Sequence, residues 1–130
     1  MDNDLDLTGE EITIDLFDRV DMRVGRIIAC ETFPEARKPA YKLTIDFGAL
    51  GIKRSSAQLT AHYKEDELIG RHVIAVVNFP PRKIAGFSSQ VLVLGVPGVG
   101  VRREGTVVLL EPERQVERPS SRAETSIMPV

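Results

Sequence analysis

Tryptophan is absent from these 130 residues, cysteine occurs once, and five phenylalanines and two tyrosines supply every aromatic ring. Each scarcity excludes something. A single cysteine, Cys30, rules out an internal disulfide, and its neighbours Ile27, Ile28 and Ala29 mark it as a small apolar strand residue rather than a reactive thiol. The two histidines, His62 and His72, stand at no metal-ligand spacing from each other or from Cys30, so no metal and no cofactor is expected. No apolar run is long enough to span a bilayer, and the acidic start is unlike the basic opening of a signal peptide. The expectation is a soluble, cytoplasmic protein with no membrane insertion. No serine lies in a nucleophile elbow, and no histidine and carboxylate are placed for a triad, so the chain is not expected to be an enzyme. The glycine-rich run GVPGVGVRREG (Gly95 to Gly105) lacks the Gly-Lys-Ser/Thr step of a phosphate loop and opens no helix.

What is present is a charge pattern. The formal charge of −2 is unevenly spread: Met1 to Asp18 carries seven acids and no base, whereas Arg71 to Arg103 carries five bases and no acid. Contact with nucleic acid or an acidic peptide is therefore expected locally, although the chain as a whole is not a strongly basic binder. A length of 130 residues fits one domain with one core. The division expected is an acidic, disordered stretch 1–11, a folded domain 12–112 and a polar, proline-punctuated tail 113–130.

Ile12, Leu16 and Phe17 fall at helical spacing, with Thr13 or Asp15 available as cap, and predict a brief amphipathic helix before the first strand. Val20 to Phe33 is rich in strand formers, and Gly25 inside it marks a bulge or a close bend. Tyr41, Leu43, Ile45 and Phe47 alternate with Lys42, Thr44, Asp46 and Gly48, the period-two signature of a half-buried strand. Gly48 and Gly51 bracket a turn into a third strand, Ile52 to Leu59. Thr60 is placed to cap a helix through His62 to Ile69, stopped by Gly70. Two apolar runs follow, Val73 to Val77 and Val91 to Leu94, and then a last strand, Thr106 to Leu110. Three strands, a helix and further strands predict an all-β OB-fold. That is a five-stranded Greek-key β-barrel with one short helix between strands three and four, plus a short N-terminal helix and an extra C-terminal strand.

The chain is organised around Asn78 to Leu94, NFPPRKIAGFSSQVLVL. Pro80 and Pro81 cannot donate to a sheet and must end the fourth strand, while Gly86 lets the chain turn back, so a long hairpin connection is predicted. It carries Arg82 and Lys83, the aromatics Phe79 and Phe87, and the polar cluster Ser88, Ser89 and Gln90. Cations, aromatics and hydroxyls together suit a surface that holds a phosphodiester or a peptide. The competing reading is a solvated hairpin with both phenylalanines tucked into the core.

From about Ile14 to Pro112 the chain resembles the tRNA-binding-domain family, an OB-fold module also attached to some aminoacyl-tRNA synthetases. The segments FPEARKPAYKL (Phe33 to Leu43), IDFG (Ile45 to Gly48), GIKRSSAQLT (Gly51 to Thr60) and VIAVVNFPPRKIAGFSSQVLVLG (Val73 to Gly95) resemble its CsaA branch of protein-secretion chaperones. In the family's loop motif Asn78, Pro81, Lys83, Gly86 and Ser89 match. Ala85, Leu92 and Pro80 stand where arginine, methionine and lysine are usual, which removes up to two phosphate-competent cations. The resemblance implies a homodimer binding unfolded or pre-secretory polypeptides, with the secretion machinery as a further partner, or binding tRNA through the same loop and barrel face. For polypeptide the candidates are an exposed patch of Phe79, Ile84 and Phe87 with Arg82 and Arg54 at its rim. For RNA they are Asn78, Arg82, Lys83, Ser89 and Lys53. The dimer is expected to bury Ile12, Leu16 and Phe17 with part of the chain after Pro112.

Overall fold

The computed structural model describes residues 9–98, 107–116, 127–128 and 130. The expected disordered stretch 1–11 falls outside these residues up to position 8, as do Val99 to Thr106 of the glycine-rich link and final strand, and most of the tail.

Strand β1 (Met22–Thr32) is the spine. Its first half, Met22 to Arg26, pairs antiparallel with β4 (His72–Val76), and its second half, Arg26 to Thr32, pairs with β2 (Tyr41–Asp46). A register shift between Ile27 and Ala29 lets one strand turn the corner from one partner to the other. The bulge therefore lies three residues beyond Gly25, and Gly25 serves the close approach instead. A Cβ there would lie 2.6 Å from both Ile45 Cγ2 and the Phe47 ring.

The predicted alternation in β2 holds at every position. Tyr41, Leu43, Ile45 and Phe47 are buried, and the residues between them are half-buried. Asp46 Oδ1 accepts the Gly48 N–H at 2.8 Å, a single 3₁₀ turn (Gly48–Leu50) follows, and Gly51 at φ 98° starts β3 (Ile52–Ala57). β3 pairs with β2 along its length, and β7 (Leu92–Val93) adds to β4, giving a sheet ordered β3-β2-β1-β4-β7. The sheet curls until β3 meets residues 89–91. This is the nearly closed five-stranded barrel of an OB-fold, filled by Ile27, Leu43, Ile45, Phe47, Leu59, Leu68 and Val73.

The helix between strands three and four is shorter than its predicted span. Helix α2 is Glu65–Leu68, with Lys64 at the N-cap position donating its N–H to the Glu67 carboxylate at 2.7 Å. Tyr63 is committed elsewhere: its carbonyl accepts from Tyr41 Oη at 2.8 Å, and its own hydroxyl accepts the Leu109 N–H at 3.1 Å. Those bonds fix residues 60–63 as an irregular turn, so the helix begins after them. Leu68, fully buried, plugs the barrel end, and Gly70 at φ 91° ends the segment as predicted.

Strands β8 (Gly95–Pro97) and β9 (Val107–Leu109) form the extra C-terminal ribbon. Helix α1 (Ile14–Asp18) is capped by Thr13, whose Oγ1 accepts the Leu16 N–H at 3.3 Å. None of its residues is buried, and Ile12, Ile14 and Leu16 are exposed.

Two outcomes test this architecture. Gly25→Ala should cost about 1–3 kcal/mol in urea unfolding, because the added methyl meets the Phe47 ring and Ile45 in a packed core. Burial, aided by Glu65 and Glu31, pushes the Cys30 thiol from its ordinary 9.0 up to about 11. Between those values the unfolded chain sheds a proton that the folded chain keeps, so stability should fall as pH rises from 9 to 11. That part of the loss should vanish in Cys30→Ala, measured by urea midpoints across the window. Tyr41, also raised by burial, keeps its share.

Candidate functional site

The connection between β4 and β7 is a second small hairpin rather than an open loop. β5 (Arg82–Ile84) pairs with β6 (Phe87–Ser89), and Ala85 at φ 48° and Gly86 at φ 83° form the two-residue turn. Positive φ at both central positions is the twist that matches a right-handed ribbon. Pairing places Arg82, Ile84, Phe87 and Ser89 on one face and Lys83 with Ser88 on the other.

Phe87 is a correction to the expected exposed patch. Only 9% accessible, it stands edge-on to Phe33 with ring centroids 5.4 Å apart, in a small second core with Ala40, Ala36 and Ile84. Arg54 stacks on the Phe87 ring, Cζ to centroid 4.8 Å, while Lys42 Nζ sits 4.8 Å from the Phe33 centroid and 5.6 Å from that of Phe87. Arg54 also reaches Glu31 at 3.5 Å. Phe79, in contrast, is 50% exposed, so the two phenylalanines have opposite roles: Phe87 anchors the hairpin and Phe79 faces solvent.

Asn78 and Ser89 are committed inside the chain. The Asn78 side chain donates to Arg19 O at 2.7 Å and accepts the Asp21 N–H at 3.0 Å, tying the end of β4 to the segment before β1. Ser89 is buried, and its Oγ accepts the Ser56 N–H at 3.0 Å. Gln90 makes a reciprocal pair with Arg54: Oε1 accepts the Arg54 N–H at 2.9 Å, and the Gln90 N–H donates to Arg54 O at 2.8 Å. Ser55 is fully buried beneath them, with Oγ 3.1 Å from the Val91 carbonyl. These polar residues close the barrel. Strand alternation puts the half-buried Lys53 on the face of β3 opposite Arg54 and Ser56.

Two grooves flank β5. One, of about 490 Å³, is mostly apolar and is lined by Phe79, Pro80, Pro81, Ile84, Val91 and Leu92, with Arg82 at its mouth. The other, of about 910 Å³, is polar: Arg37, Lys38, Arg82, Lys83, Gln58 and Glu35 line it. Ser56, Arg82 and Ile84 belong to both. The cations Arg37 and Lys38, on the loop joining β1 to β2, are groove-lining residues that the sequence analysis did not single out. The signal was their place in an OB-fold, where that loop and the one after strand four face the same ligand.

The match that decides family comes from residues 22–121, which fit the family model described as "Putative tRNA binding domain". The chain belongs to the tRNA-binding-domain family. A curated relative, methionine–tRNA ligase 1 of Sorangium cellulosum (strain So ce56), is 42% identical over 103 residues, 79% of this chain but 14% of the ligase. The chain therefore spans about one seventh of such relatives. Two solved structures align with nearly its whole length. The chaperone CsaA of Bacillus anthracis str. Ames is 47% identical, with TM-score 0.77, covering 92% of this chain and 100% of that one. The CsaA chaperone protein of Picrophilus torridus is likewise 47% identical, with TM-score 0.77, covering 91% and 100%.

If Phe87 is an anchor and Phe79 is not, truncation will separate them. Phe87→Ala should lower stability by about 3 kcal/mol, as emptying a buried aromatic site does. Phe79→Ala should stay within about 0.5 kcal/mol. Equilibrium urea unfolding reads both.

Proposed function

We propose that this protein is a non-enzymatic, chaperone-like binder of unfolded or pre-secretory polypeptides, acting as a cytoplasmic homodimer. The observation that carries this reading is the apolar groove beside the hairpin. Phe79 is half exposed and Leu92 is exposed there, with Pro80, Pro81 and Ile84 alongside, and Arg82 stands at the mouth to meet acidic groups. Prolines hold the groove wall without offering N–H groups, which leaves a rigid, apolar seat for side chains of an extended segment. The likeness to two CsaA chaperones at 47% identity supports the same reading. Pairing two such sites in a dimer would raise avidity for one long chain. Helix α1 supplies a surface for that dimer: it is five residues long, too short to stand alone, and its Ile14 and Leu16, with Ile12 just before it, are exposed. Phe17, half-buried, is the member of the predicted interface set most engaged with its own chain.

Binding of tRNA is the second reading, and the polar groove favours it. Arg37 and Lys38 from one segment and Arg82 and Lys83 from another line a common groove, and the family match carries the same expectation. The two readings divide the hairpin between them, with Arg82 common to both.

Phe79→Ala combined with Leu92→Ser should abolish suppression of aggregation of an unfolded client while leaving tRNA affinity in filter binding unchanged; unaltered suppression would remove the apolar groove from the function. Reversing Arg82 and Lys83 to glutamate should lower the slope of log tRNA affinity against log salt by roughly 1.4 to 1.8. Peptide affinity should fall less, and only for acidic peptides. Deletion of residues 1–17 should convert the dimer to a monomer in sedimentation; a truncated protein still sedimenting as a dimer places the interface elsewhere.

A further inference from the structure

The two grooves beside the hairpin share Ser56, Arg82 and Ile84, and beyond those residues their walls are of opposite character. On one side Phe79, Pro80, Pro81, Val91 and Leu92 present carbon, and the prolines have no N–H to offer a ligand. On the other, Arg37, Lys38, Arg82 and Lys83 stand with a single acid, Glu35. Among the described residues no ion pair engages Arg37, Arg82 or Lys83, and all three are exposed, so their charge is left for a ligand to meet. The nearby rings of Phe33 and Phe87 are no platform for stacking: both are buried, and Lys42 and Arg54 sit over them. The second groove is therefore suited to anionic groups rather than to the faces of bases.

We propose that the two grooves hold one polypeptide segment, a short apolar block in the first and an adjoining acidic block in the second, with Arg82 at the junction. This rests on the polypeptide-binding reading and names the segments that are selected. An apolar block alone fills one groove and leaves the cations to water. A run of Asp or Glu joined to it is already held close to Arg37, Arg82 and Lys83, so its carboxylates meet them as an intramolecular step. A run of Lys or Arg in the same place brings like charge against like, which costs affinity and sets the two kinds of segment apart. Selection thus acts on what adjoins the apolar block: acidic neighbours are retained and basic neighbours refused, while the apolar groove itself accepts many side chains.

The test uses the full chain and fluorescein-labelled peptides of roughly ten residues, about 33 Å when extended, read by anisotropy. Each joins a block of leucine and valine to a block of glutamate, serine or lysine, and each is made in both block orders. In the better order the glutamate peptide should bind about tenfold more tightly than the serine peptide and the lysine peptide more weakly than either, the gaps narrowing as salt rises. A peptide of the same composition as the glutamate one, with its acids interspersed among the apolar residues, should bind no better than the serine peptide. In Arg37→Glu with Lys83→Glu, which changes the polar groove alone, the glutamate and serine peptides should come within about twofold of each other. A general loss of structure would weaken both and leave their ratio in place. Equal affinity for the three block peptides, or an interspersed peptide that binds as the block peptide does, overturns the paired site while leaving polypeptide binding intact. A double variant that loses tRNA in filter binding but keeps the peptide ratio assigns the polar groove to RNA and overturns it too. No binding of any of these peptides overturns this proposal and the polypeptide reading together.

Discussion

The barrel of this protein closes at one seam, where β3 meets residues 89–91, and most of what is distinctive about the molecule depends on how that seam is made. Ordinary strand pairing would need a straight partner there. Instead the chain delivers Ser89 and Gln90 at the foot of a hairpin, and their side chains reach backbone groups of Arg54 and Ser56, while the single Ser55 hydroxyl proton lies within reach of the Ser56 and Val91 carbonyls. Buried hydroxyls and amides are costly unless paired, and these are paired, so the seam holds without a continuous ladder. It also fixes the height of the hairpin above the barrel wall. Both grooves adjoin the seam, since Ser56 lines each.

A second anchor sets the hairpin's tilt. Phe87 packs on Phe33 and so joins the hairpin to the loop between β1 and β2, with Lys42 and Arg54 stacked against the ring pair. The cations of two distant segments, Arg37 and Lys38 on one and Arg82 and Lys83 on the other, come to face a common groove through that contact. The two grooves are therefore physically joined: both are lined by Ser56, Arg82 and Ile84.

What could be read from residues alone was whatever depends on near neighbours. The alternation from Tyr41 to Phe47, the turn at Gly48 and Gly51, and the stop at Gly70 are local, and each stands where its pattern placed it. Polar residues were harder. A serine that closes a sheet edge has the same appearance in sequence as one that meets a ligand, so buried Ser89 bonds to Ser56 where the sequence suggested a ligand contact, while Asn78 stays exposed and also ties Arg19 to Asp21. Phe87 was misplaced because its partner, Phe33, is distant along the chain and no local spacing announces the contact. The start of α2 was displaced by Tyr63, whose two hydrogen bonds to remote strands outweigh a local capping preference.

Gly25 bears on what kind of ligand the fold can serve. Its missing side chain lets Phe47 lie flat against β1, and with Ile45, Leu43 and Leu68 the ring fills the barrel axis from wall to wall. Some barrels are vessels with a lumen for a lipid or a pigment. This one is a solid post, and among its described residues only the outside is left to meet a ligand, in grooves that run along the wall and not in a cage at its centre.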